Sequence, residues 1–254
     1  MRANNTEDKQ IVKELLESGC HYGRAKRFNH PLMKRFLLKN NKRNVEIFDL
    51  NKTIEGLNEA VNYLTSALRE GKIILFVGAK PAAEKPIQKI AETFNLPWIT
   101  YKWIGGFLTN FETIKNRLVY FRELLSKESS GEIENYPPQE KNRIMKELDR
   151  MQKLYSGVKN LDRLPDIIFI VDLKHKAHQT AVREAVKKSI PIVAICGSDN
   201  NPANVRVIIP ANDKAPRSIN YLIDYLIKRI KEKLEPSAQA ETANEPESLS
   251  PTND

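Results

Sequence analysis

The sequence predicts an α/β fold in which a mostly parallel sheet is flanked by helices and interrupted once by an inserted helical hairpin. The runs at 73–77 and 167–172 are apolar apart from the final Asp172. They have the composition of strands buried on both faces, which is typical of parallel sheets. Helical patterns separate the short apolar runs, so strand and helix alternate along most of the chain. These observations favour a Rossmann-like or flavodoxin-like arrangement.

The individual elements follow from hydrophobic spacing and from residues that end helices, such as Gly19 and Gly71. We predict helices at 6–18, 53–69, 83–94, 175–188 and 216–234, and strands at 45–48, 73–77, 97–101, 167–172, 191–195 and 205–209.

Residues 102–111, Lys-Trp-Ile-Gly-Gly-Phe-Leu-Thr-Asn-Phe, are predicted to be the hinge between the sheet and the hairpin. We expect Gly105 and Gly106 to set the angle of the hairpin, and Trp103 and Phe107 to pack its base. Two heptad patterns around a break at 129–131 predict an antiparallel coiled coil. The heptad positions are Ile114, Leu118, Phe121, Leu125, Ile144, Leu148, Met151, Tyr155 and Val158.

This reading divides the 254 residues into four parts. An N-terminal helix and basic segment occupy 1–44, the α/β domain 45–107 and 160–235, the coiled-coil hairpin 108–159, and a disordered acidic tail 236–254. The tail carries four acids and no Lys or Arg, so the net charge rises from +9 for the chain to +13 without it. A charge of this size indicates a polyanionic partner, with nucleic acid favoured over a membrane surface.

The clearest candidate for the contact is a stretch without Asp or Glu between Glu17 and Glu46. Its cations suit phosphates, and its interleaved rings suit bases or riboses. The alternative is a solvated basic loop, but the length, the absence of acids and the aromatic residues favour nucleic-acid contact. The predicted nucleic-acid-binding residues are His21, Tyr22, Arg24, Lys26, Arg27, Phe28, His30, Lys34, Arg35, Lys39, Lys42 and Arg43, with Lys102, Trp103 and Asn110 in the hinge.

Catalytic chemistry is weakly supported. The loop 78–81 contains neither GxGxxG nor GxxxxGK[ST], and Pro81 lacks a backbone N–H that a phosphate would use. The pair His175 and His178 lacks further ligands at zinc-site spacing. We predict no catalytic residue, cofactor or metal. Three carboxylates near strand ends are expected to cap turns rather than hold Mg²⁺, namely Asp49, Asp172 and Asp199.

Neither a signal peptide nor a transit peptide is indicated at the N-terminus, and no apolar run approaches the roughly 18 residues needed to span a bilayer. We expect a cytoplasmic protein, or one of an organellar stroma or matrix if the chain is organelle-encoded, that does not contact membranes and is not an obligate homo-oligomer. Cys20 and Cys196 are expected to be small buried hydrophobic residues in a reducing compartment.

Six motifs stand out along the chain. They are Gly-Cys-His-Tyr-Gly at 19–23, Ile-Phe-Asp-Leu-Asn-Lys-Thr at 47–53, Leu-Phe-Val-Gly at 75–78, the hinge from 103 to 111, Arg-Leu-Pro-Asp at 163–166, and Ile-Ile-Pro-Ala-Asn-Asp at 208–213 with Arg-Ser at 217–218. In this order they resemble a known family, ribosomal protein S-two of the bacterial and organellar small ribosomal subunit. The resemblance covers nearly the whole chain, from about residue 12 to 233.

The resemblance implies a Rossmann-like domain with a coiled-coil protrusion, bound to small-subunit ribosomal RNA and neighbouring ribosomal proteins, without catalysis. It also implies that the chain helps to recruit the mRNA-binding protein S-one. The chain departs from the family at Arg24, which replaces a His, and at Asn29, which replaces a Trp, so stacking by that Trp would pass to Phe28. Acids common in the family are replaced by Gly197, Asn201, Arg206 and Lys214, so the resemblance carries no cation site over to this chain.

Two other functions remain open at this stage. A nucleotide-binding α/β enzyme would show saturable binding of a mononucleotide or dinucleotide. A coiled-coil adaptor would lose its main interaction when 115–155 are deleted, whereas the basic segment would be dispensable.

Overall fold

The computed structural model describes residues 6–39, 41, 42 and 44–235, with side chains from residue 9 onward. Arg43 and the predicted tail at 236–254 lie outside the described residues. The described α-helices are α1 (Thr6–Glu17), α2 (Leu50–Arg69), α3 (Pro81–Thr93), α4 (Phe111–Ser129), α5 (Pro138–Tyr155), α6 (Lys176–Lys187) and α7 (Pro216–Leu234). The described strands are β1 (Tyr22–Ala25), β2 (Val45–Ile47), β3 (Ile74–Val77), β4 (Trp98–Ile99), β5 (Ile167–Val171), β6 (Ile192–Cys196) and β7 (Val207–Pro210).

Five of these strands form one parallel sheet in the order β4-β3-β5-β6-β7. The predicted α/β class is therefore confirmed. The first strand of this sheet in the chain, β3, lies between β4 and β5, which is the order of flavodoxin-like sheets. The direction of strand addition reverses between β3 and β5, so this pair marks the topological switch point of the sheet.

Alternate residues of the strands point into two separate cores, as the period of two requires. Phe76, Phe169 and Ile195 belong to one core, which α1, α2, α3 and α7 cover; we call this side the four-helix face. Val77 and Ile170 belong to the other, which residues 33–37, the hinge, α4, α5 and α6 cover; we call this side the segment face. The strands are buried on both sides because both faces are covered.

The strand predicted at 45–48 exists as β2 but does not join the main sheet. It pairs antiparallel with β1, and Leu37 and Phe48 form a further antiparallel bridge. Phe48 is almost fully buried, and the Asp49 carboxylate then accepts the Asn51 backbone N–H (3.0 Å), so α2 begins at Leu50 rather than at 53. The strand predicted at 97–101 is only two residues long, and the one predicted at 205–209 is shifted to 207–210.

The two predicted hairpin helices are present as α4 and α5, and they pack against each other. Ile114, Leu118, Phe121, Leu148 and Met151 are buried. The predicted heptad fails at two positions. Leu124 is buried where Leu125 was expected, and Val158 lies in a 3-10 turn (Ser156–Val158) beyond the end of α5. The supercoil of a coiled coil stays a prediction.

Candidate nucleic-acid interface

We call residues 21–44 the basic segment. Its described residues, 21–39, 41, 42 and 44, are folded onto the sheet rather than forming a solvated loop. Met33 is fully buried, and Leu37 is 8% exposed, both in the core of the segment face. The backbone N–H of Arg24 donates to the hydroxyl oxygen of Ser198 (2.8 Å), and that of His30 donates to the carbonyl oxygen of the same residue (2.8 Å). Because Ser198 follows β6, the segment lies across the carboxyl end of the sheet. These contacts fix its backbone before any partner binds.

The outer surface of the basic segment consists of cations and rings. Tyr22 and Phe28 are 47% and 45% exposed. The guanidinium of Arg27 lies 4.7 Å from the centroid of the Phe28 ring, a cation–π distance. Such a pair offers a flat ring beside a positive charge, which is the arrangement that binds unpaired nucleotides. Within the described residues of the basic segment, the exposed cations are Arg24, Lys26, Arg27, Lys34, Arg35, Lys39 and Lys42.

These cations are available to a partner because the described part of the chain neutralises few of them. Among the described residues, only Arg24 of the segment pairs with a carboxylate, that of Asp199 (3.7 Å). Lys26 donates to the carbonyl oxygen of Asn41 (2.7 Å), which leaves its charge unbalanced. Glu46 of β2 is half-buried and accepts the Asn29 side-chain amide (3.3 Å).

The two predicted histidines are half-buried. His30 caps the 3-10 turn Pro31–Phe36, because its Nδ1 accepts the backbone N–H of Leu32 (3.3 Å). The ring of His21 lies against that of Tyr22, with centroids 4.0 Å apart. Both histidines therefore shape the segment, and Tyr22 presents the ring that solvent reaches.

The predicted hinge residues are divided by the structure. Lys102 and Asn110 are exposed, whereas Trp103 is 4% exposed and packs against Phe107 with ring centroids 5.2 Å apart. The Trp103 side chain thus packs at the base of the hairpin, as expected, and its burial leaves no ring face for RNA. Asn110 precedes α4 and accepts the Thr113 hydroxyl (3.0 Å).

A buried carboxylate that the sequence analysis did not single out, Glu184, holds the hinge. It accepts the indole N–H of Trp103 (3.1 Å), the backbone N–H groups of Gly106 (2.8 Å) and Leu108 (2.9 Å), and that of Thr109 (3.2 Å). Burial raises the pKa of Glu184, but these donors outweigh the burial and hold that pKa below its usual value. Glu184 stays ionised and ties α6 to the hinge.

Only one of the two hinge glycines is required by its backbone conformation. Gly106 has φ +85°, the left-handed region that favours glycine. Gly105 has no positive φ, and a Cβ added there would meet no atom within 4 Å. The expectation that both glycines set the hairpin angle is therefore wrong for Gly105, because a side chain is accommodated there.

The switch point of the sheet, where such folds bind nucleotides, is filled by the chain itself. The Ala79 N–H donates to His178 Nε2 (2.8 Å), and His178 Nδ1–H donates to the Asp172 carbonyl oxygen (2.7 Å). Burial lowers the pKa of His178 to about 4, so the imidazole is neutral. The ammonium groups of Lys80 and Lys214 lie 3.2 and 2.6 Å from the Asp172 carboxylate. The backbone donor and the cation that a phosphate would need are both in use.

The carboxyl end of the sheet contains a compact set of buried charges. Burial raises the pKa of Asp172, but Lys80 and Lys214 outweigh the burial and hold that pKa below its usual value. Burial, with Asp172 close by, raises the pKa of Asp213 to about 7. Asn200 links the set by donating to Asp213 (3.0 Å). The described residues contain no group of three or more His, Cys, Asp or Glu side chains placed to hold a metal ion.

Three of the six sequence motifs, at 19–23, 47–53 and 208–213, are brought together at the carboxyl end of the sheet. The Asn212 backbone N–H donates to the Cys20 carbonyl oxygen (2.9 Å), and its side-chain amide donates to that of Gly19 (3.1 Å). The Thr53 hydroxyl donates to the carbonyl oxygen of Pro210 (2.6 Å).

Cys20 and Cys196 are both buried and free, as expected. Within the described ranges, no helix combines the length and apolar character that crossing a bilayer requires.

The sequence pattern that defines the family "Ribosomal protein S2" matches residues 15–233. The chain belongs to the ribosomal protein S2 family. The recognition from the six motifs is thereby confirmed, and the members of this family are structural ribosomal proteins rather than enzymes.

Curated members of the ribosomal protein S2 family resemble the chain over most of their length, and each carries the name small ribosomal subunit protein uS2. The protein of Coprothermobacter proteolyticus is 42% identical over 221 residues, which are 87% of this chain and 81% of the relative. That of Thermus thermophilus is 40% identical over 86% of this chain and 84% of the relative. That of Dictyoglomus thermophilum is 36% identical over 87% and 89%.

Proposed function

We propose that the chain is a structural component of the small ribosomal subunit and binds small-subunit ribosomal RNA through the basic segment. The observation that carries this proposal is the exposed, acid-free surface of the described part of the basic segment, held in place on the carboxyl end of the sheet. Family membership supplies the ribosomal context, and the relatives' name supplies the subunit.

The chemistry of the segment suits this role in two ways. Unpaired Lys and Arg side chains release counterions from phosphates when they bind RNA, which supplies affinity without sequence preference. Exposed Tyr22 and Phe28 supply faces on which unpaired bases stack. The segment is also preorganised by Met33 and by the two hydrogen bonds to Ser198, so binding orders few residues.

A charge-neutralising variant tests the proposal. Five exposed cations are changed to Gln, and Arg24 is left intact because it pairs with the buried Asp199. Affinity for small-subunit ribosomal RNA is then measured over a range of salt concentrations. Each lost phosphate contact should reduce the slope of log K against log salt by about 0.7 on single-stranded and about 0.9 on duplex RNA. The changed residues are Lys26, Arg27, Lys34, Arg35 and Lys39.

A matched control changes five exposed lysines of the four-helix face to Gln, which alters the net charge equally. These are Lys13, Lys85, Lys89, Lys228 and Lys231. Circular dichroism checks that both variants are folded. We expect a reduced slope for the segment variant and a smaller change for the control. Equal slopes in the two variants would assign the affinity to net charge alone and would contradict the proposal.

We further propose that the bound chain contacts neighbouring small-subunit proteins and helps to retain protein S-one, with the motif resemblance as support. Subunits reconstituted with the chain should retain protein S-one, whereas subunits reconstituted without it should lose it. Equal retention would contradict this part of the proposal and leave the RNA contact unaffected.

A further inference from the structure

Helix α6 carries a stripe of cations that the sequence analysis did not assign to RNA. Lys176, Arg183 and Lys187 are separated by seven and four residues, so at about 100° per residue they lie on one side of the helix. All three side chains are exposed. At about 1.5 Å per residue, the stripe is roughly 16 Å long. Lys174 precedes the helix and Lys188 follows it, and both side chains are exposed.

No acid among the described residues neutralises Lys176, Arg183 or Lys187. The one acidic residue of α6, Glu184, is buried and accepts hydrogen bonds from the hinge. Of the described carboxylates, none forms an ion pair with Lys176, Arg183, Lys187 or Lys188. The guanidinium of Arg183 donates instead to the Thr180 hydroxyl oxygen (3.2 Å) and to the Gln179 carbonyl oxygen (3.4 Å). These contacts hold the Arg183 side chain along the helix without removing its charge.

The exposed helices of the four-helix face differ in this respect. There, Lys89 pairs with Asp224 (2.7 Å), and Arg229 pairs with Glu232 (3.1 Å). A solvated helix surface usually mixes the two signs in this way. The stripe on α6 has a single sign, which indicates an anionic partner.

The position of α6 connects it to the proposed interface. The Asp199 carboxylate lies 3.4 Å from Lys174 Nζ, just before α6, and 3.7 Å from Arg24 Nε in the basic segment. At the other end, Lys188 lines the same cleft as Thr109 and Asn110 of the hinge. The stripe therefore runs between the two groups of RNA-binding residues that the sequence predicted, the basic segment and exposed Lys102 with Asn110.

We propose that the α6 stripe binds the phosphate backbone of the same RNA and joins the basic segment and the hinge into one continuous interface. The inference rests on the proposed function. The stripe has no exposed aromatic side chain, so its contacts are to phosphates and not to bases. Such contacts set the orientation of the protein on the RNA, whereas Tyr22 and Phe28 stack on unpaired bases.

The test is the variant Lys176→Gln, Arg183→Gln, Lys187→Gln, with affinity for small-subunit ribosomal RNA measured over a range of salt concentrations. If the stripe meets duplex RNA, the slope of log K against log salt should fall by about 2 to 3, and the affinity at about 0.1 M salt should fall by more than about tenfold. The charge-matched control is Lys85→Gln, Lys228→Gln, Lys231→Gln on the four-helix face, which should change the slope by less than about 1.

A second variant, Lys176→Arg with Lys187→Arg, retains the charges and should retain the affinity. If the α6 variant is folded and binds as the control does, the inference is wrong while the basic segment keeps its assignment. If neutralising the basic segment also has no effect, the proposed function itself fails. The two failures are therefore distinguishable.

Discussion

The two faces of the sheet are covered by different kinds of structure. The four-helix face is packed with apolar side chains of α1, α2, α3 and α7, and its buried polar groups are uncharged, such as Thr53, Thr65 and Ser218. The segment face is covered by a 3-10-rich segment, the hinge, the hairpin and α6. Among the described residues, every buried charged side chain lies on α6 or at the carboxyl edge of the sheet.

This difference separates stability from binding. Apolar helices bury their stripes without specific partners, so the four-helix face needs only hydrophobic residues of the right size. The basic segment buries few side chains of its own, and backbone hydrogen bonds to Ser198 and ion pairs at Asp199 hold it in place. The segment face therefore positions the surface that we assign to RNA, and the four-helix face supplies the remaining half of the core.

The largest expected effect on stability is at Glu184, because the buried charge of this residue holds the hinge on the segment face. Glu184→Ala removes the acceptor of four N–H donors, at about 1–3 kcal/mol for each donor left unsatisfied in the interior, and we expect a loss of about 4 kcal/mol in the free energy of unfolding. Urea denaturation measures it. Glu59→Ala, at an exposed position of α2, should change the same quantity by less than about 0.5 kcal/mol. A similar small loss at Glu184 would show that the hinge does not depend on it.

Matched truncations on the two faces should have similar stability effects and different binding effects. Leu64 on α2 and Met33 in the basic segment are both fully buried, and we expect about 3 kcal/mol of destabilisation from Leu64→Ala or Met33→Ala. At a temperature where both variants are folded, Met33→Ala should weaken RNA binding by about tenfold, since it loosens the segment, whereas Leu64→Ala should not. Equal RNA affinities of the two variants would contradict the proposal that the segment face serves binding and the four-helix face does not.

A smaller effect is expected from the pH dependence of Asp213. Burial raises its folded-state pKa to about 7, above roughly 3.9 in the unfolded chain. Its stabilising contribution is thus fully present below about pH 4 and is lost as the pH rises through about 7. The Asp213→Asn variant does not undergo this loss. The difference in unfolding free energy, variant minus unmutated chain, should therefore increase by about 2 kcal/mol from about pH 5 to pH 8. A difference independent of pH would contradict the assignment.

Much of the fold could be predicted because it depends on local patterns. The run at 73–77 is apolar throughout and the run at 167–172 is apolar up to Asp172, and they became β3 and β5 of the sheet. The pairing of β2 with β1 could not be predicted in this way. A three-residue strand carries too little pattern to choose a partner, and the choice is made by burial of Phe48.

The site shows a similar division. The cations and rings of residues 21–44 are recognisable from the lack of acids, and the exposure of the described cations, Tyr22 and Phe28 agrees with that interpretation. The burial of Trp103 and the role of Glu184 depend on a contact between residues 81 positions apart. A signal for Glu184 did exist, because it lies among buried Ala181 and Ala185 on the inner side of α6, where a carboxylate requires donors.

The most direct test of the difference between the two faces is lysine acetylation of the chain, free and assembled into small ribosomal subunits. Peptide mass spectrometry would compare the reactivity of Lys26, Lys34 and Lys39 on the segment face with that of Lys85, Lys228 and Lys231 on the four-helix face. We predict that assembly protects the first three and leaves the second three reactive. Protection of the four-helix lysines with continued reactivity of Lys26, Lys34 and Lys39 would contradict the account.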